Sequence, residues 1–580
     1  MTARGGRRAR GKAELVADSN PAQGPAGSDG SVQRTSASSA RAAVGIGRAA
    51  VLIGALTVAA RLLGFVRTVV FAGTVKTSCL SAAYVTANLV PNVIYDIVLG
   101  GALTAIVVPI LARPAERSEP AAGPGAAPEV STISSALLTW TVVILAPVSL
   151  ALALAAGPVV SLLMPANPAS GCQRAALLPI ASGMLAVFAP QILLYGLAVV
   201  LYGILQAHRK FAAPALAPIL SSVVVMGAYA LFVPLGGQYT TRVSGLPLSA
   251  ELMLSIGTTL GVAALALTAL APAWRLRLRL HPTLRFPEGM GRRARSLAIV
   301  GVAVLVAQDA SVLVVTRLAH ANGGGSGAAV TVYQYGWQVF VSVYAVLAIP
   351  VAISAFPVLS ARQGPAFDDA AASSTRATAL ASWLGAGLLA AVALPLARAF
   401  PYLHHSVASQ LALALGAFAP GLVGYGLMAC LSRVLLADGR NRAAAAILVV
   451  GWLVVIGVDL VAVPLVRADF VVPVLGLANT IGMTAAGVLL LAAVGRARGA
   501  PALTGVWRAI GAGLAGAAAG AAVGLAVAAV LPVSGHWLNA GLAVLAAVCA
   551  TAVFGAVVAL LDGGDLRSAV SRLRRRAWAQ

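Results

Sequence analysis

The sequence predicts an all-α, polytopic membrane protein of fourteen transmembrane helices, and three observations carry that prediction. Of its 580 residues, 59% are hydrophobic and only 10% charged, with a mean hydropathy of +0.91. No soluble core hides that much apolar surface, whereas a bilayer accepts it at ~20 residues per helix. The apolar runs are continuous rather than alternating with a period of two, which excludes a barrel. Basic residues, finally, segregate to alternate loops.

The expected spans lie near 48–73, 82–112, 134–164, 177–206, 213–234 and 249–273, then 297–318, 328–358, 377–400, 408–436, 443–466 and 470–495, and finally 506–532 and 538–562. The second and eighth are long enough to contain bends. With the amino terminus cytoplasmic, the inner loops hold nineteen basic residues between Arg113 and Arg508, seven of them arginines from Arg275 to Arg295. The outer loops hold six: Lys76, Arg174, Arg242, Arg317, Arg398 and Arg467. One helix more or fewer would scramble that alternation, so an even count with both basic termini inside is expected. The net charge of +23 is therefore assigned to cytoplasmic loops and anionic lipid headgroups, not to nucleic acid.

Residues 1–45, rich in Gly, Ser, Ala and Arg without apolar periodicity, read as a disordered basic cytoplasmic tail. Residues 563–580 read as a second basic tail. Between them lie an N-lobe of six spans (46–274), a basic cytoplasmic linker (275–296), a C-lobe of six spans (297–495) and a final pair (496–562). The preference for arginine, with lysine only at 12, 76 and 210, points to a GC-rich genome.

Charged side chains at bilayer depth cost about 2.5–3.5 kcal/mol each on insertion scales, so they face a cavity or a partner. The first span holds two, Arg61 and Arg67, in Ala60-Arg-Leu-Leu-Gly-Phe-Val-Arg67-Thr68. They stand about 120° apart on an ideal helix and share one cavity only where the helix bends, for which Gly64 is the candidate hinge. Two guanidinium groups suit a diphosphate, whose oxygens accept paired hydrogen bonds; the alternative is snorkelling to an interface.

Gln308 and Asp309 in the seventh span are partners for a cavity arginine, a site for a coupling cation, or a structural helix–helix pair. Asp459 in the eleventh span is a weaker case, and Asp96 in the second pairs with an arginine or marks a bend. Tyr333-Gln-Tyr-Gly-Trp-Gln338 in the eighth span lines a sugar-binding cavity or forms an interfacial aromatic belt. The histidines at 208, 281, 320, 404 and 405 lack ligand spacing, and no metal site, catalytic triad, phosphate loop or cofactor is expected. Cys430 and Cys549 fall inside spans as small apolar fillers. Cys79 and Cys172 fall in the first two outer loops, where an oxidising exterior permits a disulfide; two free thiols are the alternative.

The fourth span ends in Gly203-Ile-Leu-Gln-Ala-His-Arg-Lys-Phe211, a small residue and a tight basic turn, and the tenth ends alike at Arg433 to Arg440. This repeat, six spans apart, suggests two six-helix lobes around a central cavity, an arrangement suited to alternating access. Arg61-Leu-Leu-Gly-Phe-Val-Arg67, Pro91-Asn92, Gly101-Ala102, Val108-Pro-Ile-Leu111, Ile204 to Phe211 with Pro214 and Pro218, and Phe356-Pro357 are further signatures. On these residues the chain resembles the MurJ/MviN family of lipid II flippases, in the multidrug/oligosaccharidyl-lipid/polysaccharide exporter superfamily.

The resemblance implies two six-helix lobes in a V, with two extra helices forming a groove for a lipid tail. It implies movement of undecaprenyl-diphosphate-linked disaccharide-pentapeptide between leaflets of the bacterial cytoplasmic membrane, beside the peptidoglycan synthesis machinery. Arg61 and Arg67 would take the diphosphate, and the membrane potential or an ion gradient would supply the energy. The chain departs from the family pattern at Ala60 and Thr68, in place of Ser and Asp. Ala82 and Tyr95 stand for an acid and an arginine, and Trp337-Gln338 and Val341 for an Asp-Arg pair and a following acid. Either Asp96 and Asp309 compensate, or the cargo is another polyprenyl-linked glycan. A transport-incompetent scaffold in envelope assembly is a third reading. A cation-coupled drug exporter is a fourth, opposed by the paired arginines.

Overall fold

The computed structural model describes residues 56, 59–97, 127–164, 172–208, 210, 212–240, 243–276, 280–284, 290–323, 328–401, 403–531 and 533–562. Both expected basic tails, the second half of the second expected span and residues 277–279 and 285–289 of the linker lie outside them. Before the linker come α1 (59–74), α2 (Cys79–Asp96), α3 (Ala127–Leu154), α4 (Ala156–Leu163), α5 (Arg174–Phe188), α6 (Gln191–Ala207), α7 (Ala212–Gly236) and α8 (Leu248–Trp274). After it come α9 (Met290–Asn322), α10 (Ala328–Ser360), α11 (Pro365–Ala399), α12 (His405–Phe418) and α13 (Gly421–Ala437). The chain continues through α14 (Asn441–Ala462), α15 (Val471–Arg498), α16 (Val506–Val530) and α17 (His536–Leu561).

Eleven helices among the described residues are long and apolar enough to cross a membrane, or twelve with the bent pair α12–α13 taken as one span. These coincide with the third to fourteenth expected spans. The first two expected spans are described only over 59–97.

Some spans are broken, for reasons written in the sequence. The third divides into α3 and α4 at Ala155. The fourth divides at Ala189-Pro190 and the tenth at Ala419-Pro420, the latter with a bend of 42°. Proline lacks the N–H that would continue the helix, and its ring clashes with the preceding turn. Phe-Ala-Pro thus occurs at 188–190 and 418–420, followed at equal spacing by Tyr-Gly-Leu at 195–197 and 425–427. Both phenylalanines are fully buried. The turns that follow close alike: the Lys210 N–H donates to the Leu205 carbonyl at 2.8 Å, and the Arg440 N–H to the Leu435 carbonyl at 2.8 Å. These are the 6→1 bonds that cap helix C-termini, so the repeat seen in the basic turns extends through the helices before them.

Close helix crossings rest on small residues, as expected where lipid gives no hydrophobic drive to pack helices together. A Cβ on Gly424 of α13 would stand 2.5 Å from the backbone of Met483 and Thr484 in α15. Helices α16 and α17 pack on each other and on α11, where Gly387, Gly520 and Gly524 make similar approaches. Gly424→Leu is accordingly expected to destabilise the fold by about 3 kcal/mol or more. Gly416→Ala, whose Cβ would meet nothing within 4 Å, should be neutral or mildly stabilising. Thermal unfolding of the two purified variants checks both.

The two ends of the molecule differ. At one, a disulfide joins Cys79 to Cys172 with Cα atoms 5.7 Å apart, tying the start of α2 to the segment entering α5. At the other, Arg498 binds Asp368 at 2.8 Å and Asp438 at 3.5 Å, and Arg440 binds Asp438 at 2.9 Å. The Arg498 guanidinium also lies over the Phe367 ring at 4.6 Å. This network fastens the start of α11 to the ends of α13 and α15.

Candidate functional site

Helices α1, α2, α7, α9 and α10 surround a cavity of about 270 Å³. Its position follows from the topology: α1 and α2 come from the first half of the chain, α9 and α10 from the second. From α1 the lining takes Arg67, Thr68 and Phe71; from α2, Tyr84, Asn88, Asn92 and Asp96. The opposite wall holds Gln308 and Asp309 of α9 and Tyr333, Gln334, Trp337 and Gln338 of α10.

Arg67 is the single cation in this lining, and no hydrogen bond or ion pair engages its guanidinium among the described residues. Thr68 beside it turns its hydroxyl back to the Gly64 carbonyl at 3.2 Å. Asp309 is 3% exposed and its Oδ2 has no hydrogen-bond partner, while Asp96, at the end of α2, is exposed. Neither carboxylate pairs with Arg67. Tyr84 bonds Tyr229 and Thr258 at 2.8 Å each, and the Tyr195 hydroxyl donates to Asn92 Oδ1 at 3.1 Å. The N-terminal wall is thereby fixed by hydroxyls and amides. Behind the other wall, Trp337, Phe340, Tyr344 and Tyr425 stack in a cluster with centroid separations of 4.3 to 6.4 Å, and Asn479 Nδ2 donates to the Tyr333 hydroxyl at 3.1 Å.

The structure brings Arg67, Asp96, Gln308, Asp309 and Gln338 to one cavity and leaves Arg61 out of its lining. Arg61 is exposed, and α1 runs unbroken through Gly64, so the helix does not swing the two arginines to a common face. Asp459 lies elsewhere, wholly buried with neither carboxylate oxygen hydrogen-bonded. The aromatic stretch of α10 lines the cavity rather than forming a belt.

Sequence reading missed the contacts that close one end of the cavity. Between the two halves of the chain, Ser81 and Thr331 hydroxyls lie 3.1 Å apart, and Thr86 bonds His320 Nε2 at 2.7 Å, both pairs buried. Arg317 donates to the Leu162 carbonyl, and Phe65 meets Phe400 edge-on at 6.0 Å. The polar members of these pairs stand near the disulfide-bearing end. Single serines, threonines and a helix-end histidine carry no spacing signal, so only the assembled helices reveal them. Among the described residues no three His, Cys, Asp or Glu side chains cluster as metal ligands would.

The sequence profile of the family described as lipid II flippase MurJ matches residues 71–546. Among solved structures, one described as lipid II flippase MurJ in an inward closed conformation aligns at TM-score 0.67 with 16% identity, covering 88% of this chain and 99% of that one. An inward-facing multidrug resistance MATE family transporter of the MOP superfamily aligns at 0.59 with 13% identity, covering 76% and 94%. A MATE transporter in a straight conformation aligns at 0.51 with 14% identity, covering 77% and 93%. At these identities the structural likenesses speak for the fold alone.

Proposed function

The chain belongs to the MurJ family of lipid II flippases, and from that premise we propose how this cavity moves its cargo. The profile match covers most of the chain. As a multi-pass membrane protein of this family it translocates the lipid-linked peptidoglycan precursor. Arg61 and Arg67 both precede the matched residues, so the role given to Arg67 rests on its place in the cavity.

In this reading Arg67 takes the cargo's diphosphate. The observation that carries it is a guanidinium that, among the described residues, is unpaired and is the sole cation of a cavity enclosed by helices from both halves of the chain. A guanidinium presents a planar fork of donors to phosphate oxygens. Arg61, exposed and outside the lining, is assigned to the membrane interface instead. Asp309, buried with a free carboxylate oxygen, is the group a coupling cation would neutralise.

Loop charge supports a topology with the disulfide-bearing end outside and both termini in the cytoplasm. The Ser81–Thr331 and Thr86–His320 bonds then close the cavity on its outer side, and separating them releases cargo outward. Lipid-facing α16 and α17 stand beside α11, where an undecaprenyl tail can lie.

Complementation tests the reading. Expression of this chain in a bacterium depleted of its lipid II flippase is expected to restore growth. Lysis despite normal membrane insertion of the chain would favour another polyprenyl-linked cargo.

A further inference from the structure

Among the described residues the cavity lining holds one cation against two carboxyl groups, and its remaining polar side chains are uncharged. Five carboxamides line it: Asn88 and Asn92 on α2, Gln308 on α9, Gln334 and Gln338 on α10. Two of these are engaged within the protein. Asn92 donates to the Asn88 carbonyl at 2.8 Å and accepts from Tyr195, and Gln338 donates to Ser342 at 3.3 Å. The side-chain amides of Asn88, Gln308 and Gln334 make no hydrogen bond among the described residues, though all three are half-buried and face the cavity.

A free carboxamide offers two donors and an acceptor. It therefore complements sugar hydroxyls, N-acetyl groups and other carboxamides. A carboxylate on the cargo is served less well. With Arg67 occupied by the diphosphate, no second cation lines the cavity among the described residues, and the Asp96 and Asp309 carboxyls offer a further negative charge no partner. At a separation of about 10 Å and an effective dielectric near 20, repulsion by one carboxylate weakens binding roughly tenfold.

We infer that this cavity discriminates among lipid-linked glycopeptides by the charge of the stem peptide. It favours cargo whose peptide carboxyl groups are carried as carboxamides over the same cargo with free carboxylates. Asn88, Gln308 and Gln334 are the groups that read the neutral head, and Asp309 is the group that rejects the anionic one. The inference rests on the flippase reading, because it concerns the head of that same diphosphate-linked lipid.

The test uses the full chain in proteoliposomes and two synthetic undecaprenyl-diphosphate disaccharide-pentapeptides, identical except that the peptide side carboxyls are free or amidated. Initial translocation rates are compared as a ratio, which is insensitive to how much protein folds. The amidated cargo is expected to move about tenfold faster. Asp309→Asn should bring the ratio toward one, and Gln334→Lys, which supplies a second cation, should do so further or reverse it. Equal rates, or faster movement of the free acid, would overturn the discrimination and leave the flippase reading standing. Movement of neither cargo would overturn the flippase reading, and the discrimination with it.

Discussion

Arg67→Ala is expected to lower the initial rate of lipid II translocation by at least about a hundredfold. Among the described residues the guanidinium is the only cation lining the cavity. Hydrogen bonds to charged groups contribute about 1.5–3 kcal/mol each, and a diphosphate engages the fork through two. Their loss leaves a doubly charged group facing Asp96 and Asp309 with no compensation. Arg67→Lys keeps the charge but not the fork, and an intermediate loss of about tenfold is expected. Arg61→Ala, outside the lining, is expected to change the rate by less than about threefold, its cost confined to interfacial anchoring. Stopped transport by Arg61→Ala at normal expression would return Arg61 to the cavity and require α1 to bend at Gly64.

The second large effect concerns the closed end. Cysteines placed at both Ser81 and Thr331, whose hydroxyls are 3.1 Å apart, should cross-link on oxidation and hold the two halves of the chain together. Translocation is expected to fall to background in the oxidised double variant, while either single variant retains it under the same treatment. Mass spectrometry of the cross-linked peptides distinguishes the new bond from exchange with the native Cys79–Cys172 disulfide. Full transport with the cross-link in place would mean that these helices do not separate during the cycle.

Much of this architecture was legible because a bilayer imposes it. A helix that must satisfy its own backbone in hydrocarbon shows itself as a long apolar run, and the third to fourteenth expected spans coincide with helices, although the ninth begins twelve residues earlier than expected, at Pro365. Breaks within spans were harder to see. Pro190 and Pro420 sit in apolar runs that a hydropathy window reads as continuous, yet each ends a helix. The repeated Phe-Ala-Pro and Tyr-Gly-Leu segments were present in the sequence as a signal and went unread.

The site was partly legible for a similar reason. Charged and amide groups at bilayer depth are costly, and five of the residues picked out on that ground line one cavity. Periodicity alone could not decide whether Arg61 joined them, since that depended on a bend that α1 does not make. Asn88 and the hydroxyls of Tyr84 and Tyr229 carry no such signal, because small polar groups are common in membrane helices. Their role emerges only when the helices from the two halves face each other.

Direct transport is the measurement that decides the central claim. Purified full-length protein would be reconstituted into liposomes with lipid II in one leaflet, and its arrival in the other followed by an enzyme that acts only on the exposed headgroup. Protein-dependent translocation that is lost in Arg67→Ala, with both proteins equally folded and inserted, is the predicted result. Translocation of equal rate in the two proteins, or none from a folded wild type, would contradict the account.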